Sequence, residues 1–211
     1  MVTLERLVSM VHAAAAQIRA NQELLSQLDS HGGDGDHGTT MVRAMNGMEQ
    51  AVETEKAASI PELLKAIGWA VMGVDGGATG PLFGTFFMSM SGAAAEAAAL
   101  DARGLAEAFA AGLSGVQKRT RAQVGDKTML DALVPAVQAA QEAADGGASV
   151  EEVLRRAFEA ARAGAEGTTA MQARFGRAKN IGEKSIGQPD AGATSVSLLF
   201  KGFLEGVTSH G

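Results

Sequence analysis

Apolar positions recur three and four residues apart through most of the chain, the period of a helix with one buried face. The clearest stripe covers residues 3–28, with Leu4, Leu7, Val8, Val11, Ala14, Ala15, Ile18, Leu25 and Leu28. Met41, Ala44, Met45, Met48 and Val52 repeat the period and predict a second helix starting near Gly38. Ser59-Ile60-Pro61-Glu62 is a capping box with a tolerated early proline, so it opens a third helix through about Met72. A fourth begins at Pro81-Leu82-Phe83, apolar on most sides and therefore expected to be central. Asp101 caps a fifth that carries Leu105, Phe109, Leu113 and Val116, and a sixth runs from Met129 to about Ala144. Ser149-Val150-Glu151-Glu152 opens a seventh through Leu154, Phe158 and Ala161, which is expected to run on, broken or continuous, to about Ala173. The eighth carries Val196, Leu199, Phe200, Phe203 and Leu204. No stretch reads convincingly as a strand. The pattern predicts an all-α fold of eight helices.

The connections divide into two kinds. Glycine-rich loops follow helices one, three, five and seven, whereas the other connections are plain. In an antiparallel up-and-down arrangement alternate loops share one end, so the four unusual loops are expected to meet on one face. No linker, low-complexity tract or clear repeat interrupts the chain, and residues 1–211 read as a single domain.

The first loop is the most informative. Asp29-Ser30-His31-Gly32-Gly33-Asp34-Gly35-Asp36-His37-Gly38 holds three carboxylates and four glycines in ten residues. Asp34 and Asp36 are two apart, so extended backbone points both to the same side, and Asp29 is near enough to join them. Hard oxygen ligands of this kind suit Mg²⁺ or Ca²⁺. The competing reading is an ordinary solvated acidic turn. Two generic motifs fail here. Gly33 to Gly38 fits G-x-G-x-x-G, but a helix precedes it where a dinucleotide site needs a strand. As an EF-hand loop from Asp34, it places Met45 where the bidentate glutamate belongs.

The other three loops carry complementary groups. Gly76-Gly77-Ala78-Thr79-Gly80 allows backbone amides close to a phosphate. The third loop holds Asp126 and Lys127, and the fourth, over residues 175–190, holds Arg177 and leads into Asp190-Ala191-Gly192. Helix N-termini, glycine amides, carboxylates for cations and a few basic groups together describe a polyphosphate site. No G-x-x-x-x-G-K-[ST] sequence occurs, so this is not a P-loop protein. Lys127 and Arg177 read equally as phosphate contacts or surface charges, and His37 as an acid–base group or a loop-packing residue. His12 and His210 carry no signal, and Trp69 is expected to be packed.

Composition narrows the picture further. Aromatic residues make up 4% and tyrosine is absent, which favours close-packed helices. Cysteine is absent, so thiol catalysis, disulfides and thiolate metal sites are excluded. A formal charge of −6 argues against nucleic acid and anionic membranes as partners. The first residues lack a signal-peptide pattern and no apolar run has transmembrane length, so a cytoplasmic location is expected.

Four ordered blocks resemble the dihydroxyacetone kinase L subunit. They are Gly33 to Thr39, Gly77 to Thr85, Gly125 to Met129, and Gly182 to Ser195, in register over nearly the whole chain. The resemblance implies an eight-helix antiparallel up-and-down barrel with ADP or ATP held at one end through two Mg²⁺ ions. It assigns Asp29, Asp34 and Asp36 to the metals. It assigns His37, Gly38, Thr39, Thr40, Ala78, Thr79, Thr120, Met129, Arg177, Asp190, Ala191 and Gly192 to the nucleotide, with Arg177 supporting phosphoryl transfer. It further implies that a separate K-type subunit holds the triose through a covalent bond to a histidine. The donor is then ATP or a phosphotransferase-system protein. Departures at Thr40, Thr79, Gln188 and Ala191 leave the ketose and the donor open. A regulatory nucleotide-binding module and a metal-dependent phosphatase are the other classes the residues allow.

Overall fold

The computed structural model describes residues 1–54, 57–94 and 98–209. Helix dominates, and among the described residues the elements run α1 (Leu4–Ala20), α2 (Gln22–Ser30), α3 (His37–Thr54), α4 (Ile60–Met72), α5 (Thr79–Ala93), α6 (Ala102–Arg119), α7 (Leu130–Asp145), α8 (Val150–Gly167) and α9 (Ala191–Thr208). Side chains set several starts: Thr3, Ser59, Asp101, Ser149 and Asp190 each accept from an amide in the first turn of the helix that follows.

Three predicted boundaries move, each for a local reason. The stripe over residues 3–28 is two helices, because the Asn21 side chain donates to the Gln17 carbonyl (2.8 Å) and its backbone leaves helical geometry. The seventh helix ends at Gly167 rather than near Ala173 and tightens into a 3₁₀ turn, Thr168–Ala170. The long fourth loop is largely 3₁₀, over Arg177–Ser185, with a kink at Gly182. A minimal strand pair also occurs where none was expected: β1 (Val2–Thr3) pairs antiparallel with β2 (Ala99–Leu100). Pairs this short carry no alternation to be read.

From α2 onward each helix packs on its neighbour in sequence, and α1 packs against both α3 and α9, so the bundle closes on itself. With α1 and α2 taken as one broken unit, eight helices form the ring among the described residues. Glycine makes the closing seam tight. A Cβ on Gly206 would sit 2.5 Å from the Met10 Cα, and one on Gly202 would collide with the backbone at Ala14. The centre is filled by interlocked phenylalanines. Phe109 stacks on Phe86 and on Phe203, both at 6.3 Å between centroids, and meets Phe200 edge-on at 5.2 Å. The Met and Phe stripes are therefore core. Trp69, expected to be packed, is instead 59% exposed on α4. No helix among the described residues is long and apolar enough to cross a membrane.

Candidate functional site

The four glycine-rich connections do meet at one end of the ring. A cavity of about 450 Å³ there is lined from all four: Asp29, Asp34 and Asp36, then Gly76 to Thr79, then Thr120 to Leu130 in part, then Phe175 to Ala178 and Asp190 to Gly192. The N-termini of α3, α5, α7 and α9 open onto it through His37, Thr79, Leu130 and Ala191. Four helix dipoles converging on one cavity favour an anionic occupant.

The acidic loop is shaped by its own backbone. The amides of Gly32 and Gly33 donate to the Asp29 carbonyl at 3.1 and 2.6 Å, turning the chain sharply at the end of α2. A side chain on Gly33 would displace the Asp29 carboxylate, and one on Gly32 would run into Ala178, which packs against the loop. Gly35 takes the left-handed backbone (φ 76°) between the two aspartates. One carboxylate oxygen from each of Asp29, Asp34 and Asp36 lies within 4.8 Å of the others. That spacing fits hard divalent cations, and it is repulsive without positive charge nearby.

Arg177 supplies one such charge. Its guanidinium forms an ion pair with Asp34, which holds that carboxyl below the usual carboxylate range. Both side chains remain about half exposed, so the pair bridges two loops at the cavity mouth.

His37 packs between helix starts at the edge of the cavity. Its Nε2 lies 2.8 Å from the Ser195 hydroxyl and its Nδ1 3.4 Å from the Thr79 hydroxyl. Burial pushes its pKa down, against the pull of Asp29 and Asp36. A neutral ring with both nitrogens engaged ties the starts of α3, α5 and α9 together. The neighbouring Gly38 packs on α2, Thr39 faces solvent, and the buried Thr40 hydroxyl accepts from Arg43 (3.1 Å). None of these three side chains lines the cavity.

The remaining predicted residues divide by chemistry. Ala78 and Thr79 begin α5 with no side-chain cap, leaving first-turn amides free for a ligand. Asp190 caps α9 through the Ala193 amide (2.7 Å), and burial pushes its carboxyl up to about 6. Met129 forms part of an apolar wall with Leu82, Phe83, Ala122, Leu130 and Phe175. Most of that wall escaped the sequence reading, since Leu82 and Phe83 look like core. Phe175, an isolated aromatic in a polar loop, was the available signal. Lys127 is not a surface charge: it is buried at 6% exposure.

Comparisons with known proteins agree with this geometry. Residues 31–205 match the model of the DAK2 domain. The chain is 37% identical to the ADP-binding subunit DhaL of a PEP-dependent dihydroxyacetone kinase of Listeria innocua, over 90% of this chain and 89% of that one. It is 38% identical to the corresponding Escherichia coli subunit, over 85% of each. An L-erythrulose 1-kinase of Mycolicibacterium smegmatis is 36% identical, with 33% of its length covered. Among solved structures, the dihydroxyacetone kinase of C. freundii in complex with AMP-PNP and Mg²⁺ superposes with a TM-score of 0.74 at 28% identity. The match covers 94% of this chain and 33% of that one.

Proposed function

The chain belongs to the DAK2-domain family, and from that premise we propose that it is the nucleotide-holding, phosphoryl-transferring subunit of a dihydroxyacetone or related small-ketose kinase. The observation that carries the reading is the three-aspartate cluster at one side of a cavity ringed by four helix N-termini. Asp29, Asp34 and Asp36 would hold two Mg²⁺ ions, whose chemistry is to neutralise phosphate charge and orient the transferring group. The apolar wall of Leu82, Phe83, Met129 and Phe175 offers a face for the base. Free amides at the start of α5, with Thr79 and the start of α9, receive the phosphates. Arg177 stabilises charge that develops on the transferring phosphoryl group.

The cavity holds no free histidine for covalent capture of a ketone, since His37 is committed to Ser195 and Thr79. His12 pairs with Glu49 on the outer surface of α1, and His210 lies outside the described residues. A small polar ketose also needs many directed hydrogen bonds to be held. The acceptor is therefore presented by a separate K-type dihydroxyacetone-binding subunit that docks over the loop face and brings its hydroxyl in line with the phosphate. The Listeria and Escherichia relatives, subunits of PEP-dependent kinases, support a multi-chain system with a phosphotransferase-system protein or ATP as donor. Closure of the ring by α1 and α9 supports residues 1–211 acting as one domain, and a cytoplasmic location follows from the kinase assignment alone.

The test is reconstitution. The purified chain with Mg²⁺, ATP and dihydroxyacetone is expected to form no sugar phosphate above background. Adding the K-type subunit restores activity with ATP, or with the phosphotransferase component when that is the donor. Robust phosphorylation of dihydroxyacetone by this chain alone would overturn the reading.

A further inference from the structure

Lys127 is the one lysine buried among the described residues, and its surroundings are built in detail. Its backbone is left-handed (φ 61°), a region that residues with side chains seldom adopt. The Asp131 carboxylate shapes this turn by accepting from the amides of Gly125 (2.5 Å) and Thr128 (2.7 Å). The turn sends the lysine inward, where its ammonium donates to the carbonyls of Thr168 (2.7 Å) and Gln188 (2.5 Å). Burial lowers the Lys127 pKa, while Asp190 and Asp131 support the charged form.

Those two carbonyls stand at the two ends of one segment, residues 169–187, which leaves α8 and returns to α9. The ends are joined by two further bonds: the Gly187 amide donates to the Thr169 carbonyl, and the Asp190 amide to the Thr168 hydroxyl, each at 2.8 Å. Within the closed segment, Arg177 reaches Asp34, and just beyond it Asp190 caps α9 at the cavity. Two of the three ammonium hydrogens are thus committed to carbonyls, one buried and one partly so. Swinging the amine out to a phosphate would leave both acceptors unpaired, which is unfavourable.

We propose that Lys127 is a positioning residue whose ammonium clasps both ends of segment 169–187, and so sets Arg177 and the N-terminus of α9 against the phosphates of the nucleotide. The assignment rests on the kinase reading for its ligand, but the clasp itself can be measured without any ligand. Lys127→Met keeps an unbranched apolar stem, one atom shorter, and removes the charge and its donors. In the nucleotide-free variant, the Gly187 and Asp190 amides should exchange with solvent at least about tenfold faster, with amides of α5 unchanged. Calorimetry with Mg²⁺ should show weaker binding of ADP and unchanged binding of adenosine, because only the phosphate end loses its support. A general packing defect lowers both affinities and would overturn the assignment. Weaker ADP binding with unaltered exchange means direct phosphate contact, and also overturns it. Should Lys127→Met fail to fold, Lys127→Gln tests the same clasp more gently, because a neutral, shorter amide replaces the ammonium that bridges the two carbonyls. Unchanged exchange at Asp190 in that variant counts against the clasp. Failure of the unaltered protein to bind Mg²⁺–ADP is a separate result, which sinks the kinase reading and leaves the exchange data standing.

Discussion

Arg177, on the 3₁₀ segment ahead of α9, forms an ion pair with Asp34 in the loop between α2 and α3. A cation from the last loop thereby meets the acidic trio of the first, across the mouth of the cavity.

Replacing Arg177 by alanine is expected to separate catalysis from folding. Both partners are about half exposed, and pairs of that kind add little to stability, so the melting temperature should barely move. Turnover in the reconstituted kinase should fall by roughly 10²–10³, as when one donor to a developing charge is lost. Arg177→Lys should recover only part, lacking the planar fork. Steady-state rates decide it, and an unaltered rate in Arg177→Ala would remove the residue from the chemistry.

Metal and nucleotide should stabilise the protein together. At free Mg²⁺–ADP of about 100 times its dissociation constant, mass action adds roughly 2.7 kcal/mol to the folded state. EDTA should abolish the gain, and Asp34→Ala should weaken Mg²⁺–ADP binding severely because the phosphates lose their counter-charge. A melting shift of equal size without divalent ions would contradict a site that binds through metal.

Asp190 predicts a pH effect. Burial raises its carboxyl from 3.8 to about 6, with Asp131 adding to the rise and Lys127 and the α9 amides opposing it. The folded protein then holds this proton more tightly than the unfolded chain. The resulting stability is complete below 3.8 and is lost as pH rises to about 6. The loss is on the order of 3 kcal/mol. Asp190→Asn, which keeps the cap, should lack this slope. Denaturant titrations across that window would show it as a divergence between the two proteins, and parallel profiles would refute it.

The seam between α1 and α9 supplies a stability test. Gly202→Ala places a methyl group into the backbone at Ala14, and the helices must separate, destabilising by about 3 kcal/mol or more. Gly92, near the end of α5, has open space around it. Gly92→Ala should stabilise by about 0.5–1 kcal/mol. Equal effects at the two sites would mean the close approach is not what selects glycine at Gly202.

Helical period made the helices legible in the sequence, and the alternation of glycine-rich loops their meeting at one end, whereas closure into a ring was implied only by the family resemblance. The carboxylates were legible as well, because Asp29, Asp34 and Asp36 are close along the chain and their chemistry needs no partner from afar. What escaped depends on contacts between distant segments. The roles of Lys127 and His37 are set by carbonyls and hydroxyls many residues away, at Thr168, Gln188, Ser195 and Thr79. The wall of Leu82 and Phe83 reads as core because an apolar side chain facing a ligand leaves the same period as one facing a helix. The break at Asn21 is decided by one side-chain hydrogen bond and the β1–β2 pair spans two residues a strand, both below the reach of any pattern.

The seam also bears on how the molecule is made. Gly202 and Gly206 lie on the last helix, and the surface they cover, around Met10 and Ala14, lies on the first. During synthesis α1 emerges with that stripe bare, and no intervening helix can cover it as closely. The buried face of α1 therefore waits for nearly the whole chain, exposed to other apolar surfaces in the meantime. A ring closed by its first and last members gives the unfinished chain a sticky edge, and truncation within α9 should drive aggregation rather than a smaller folded protein.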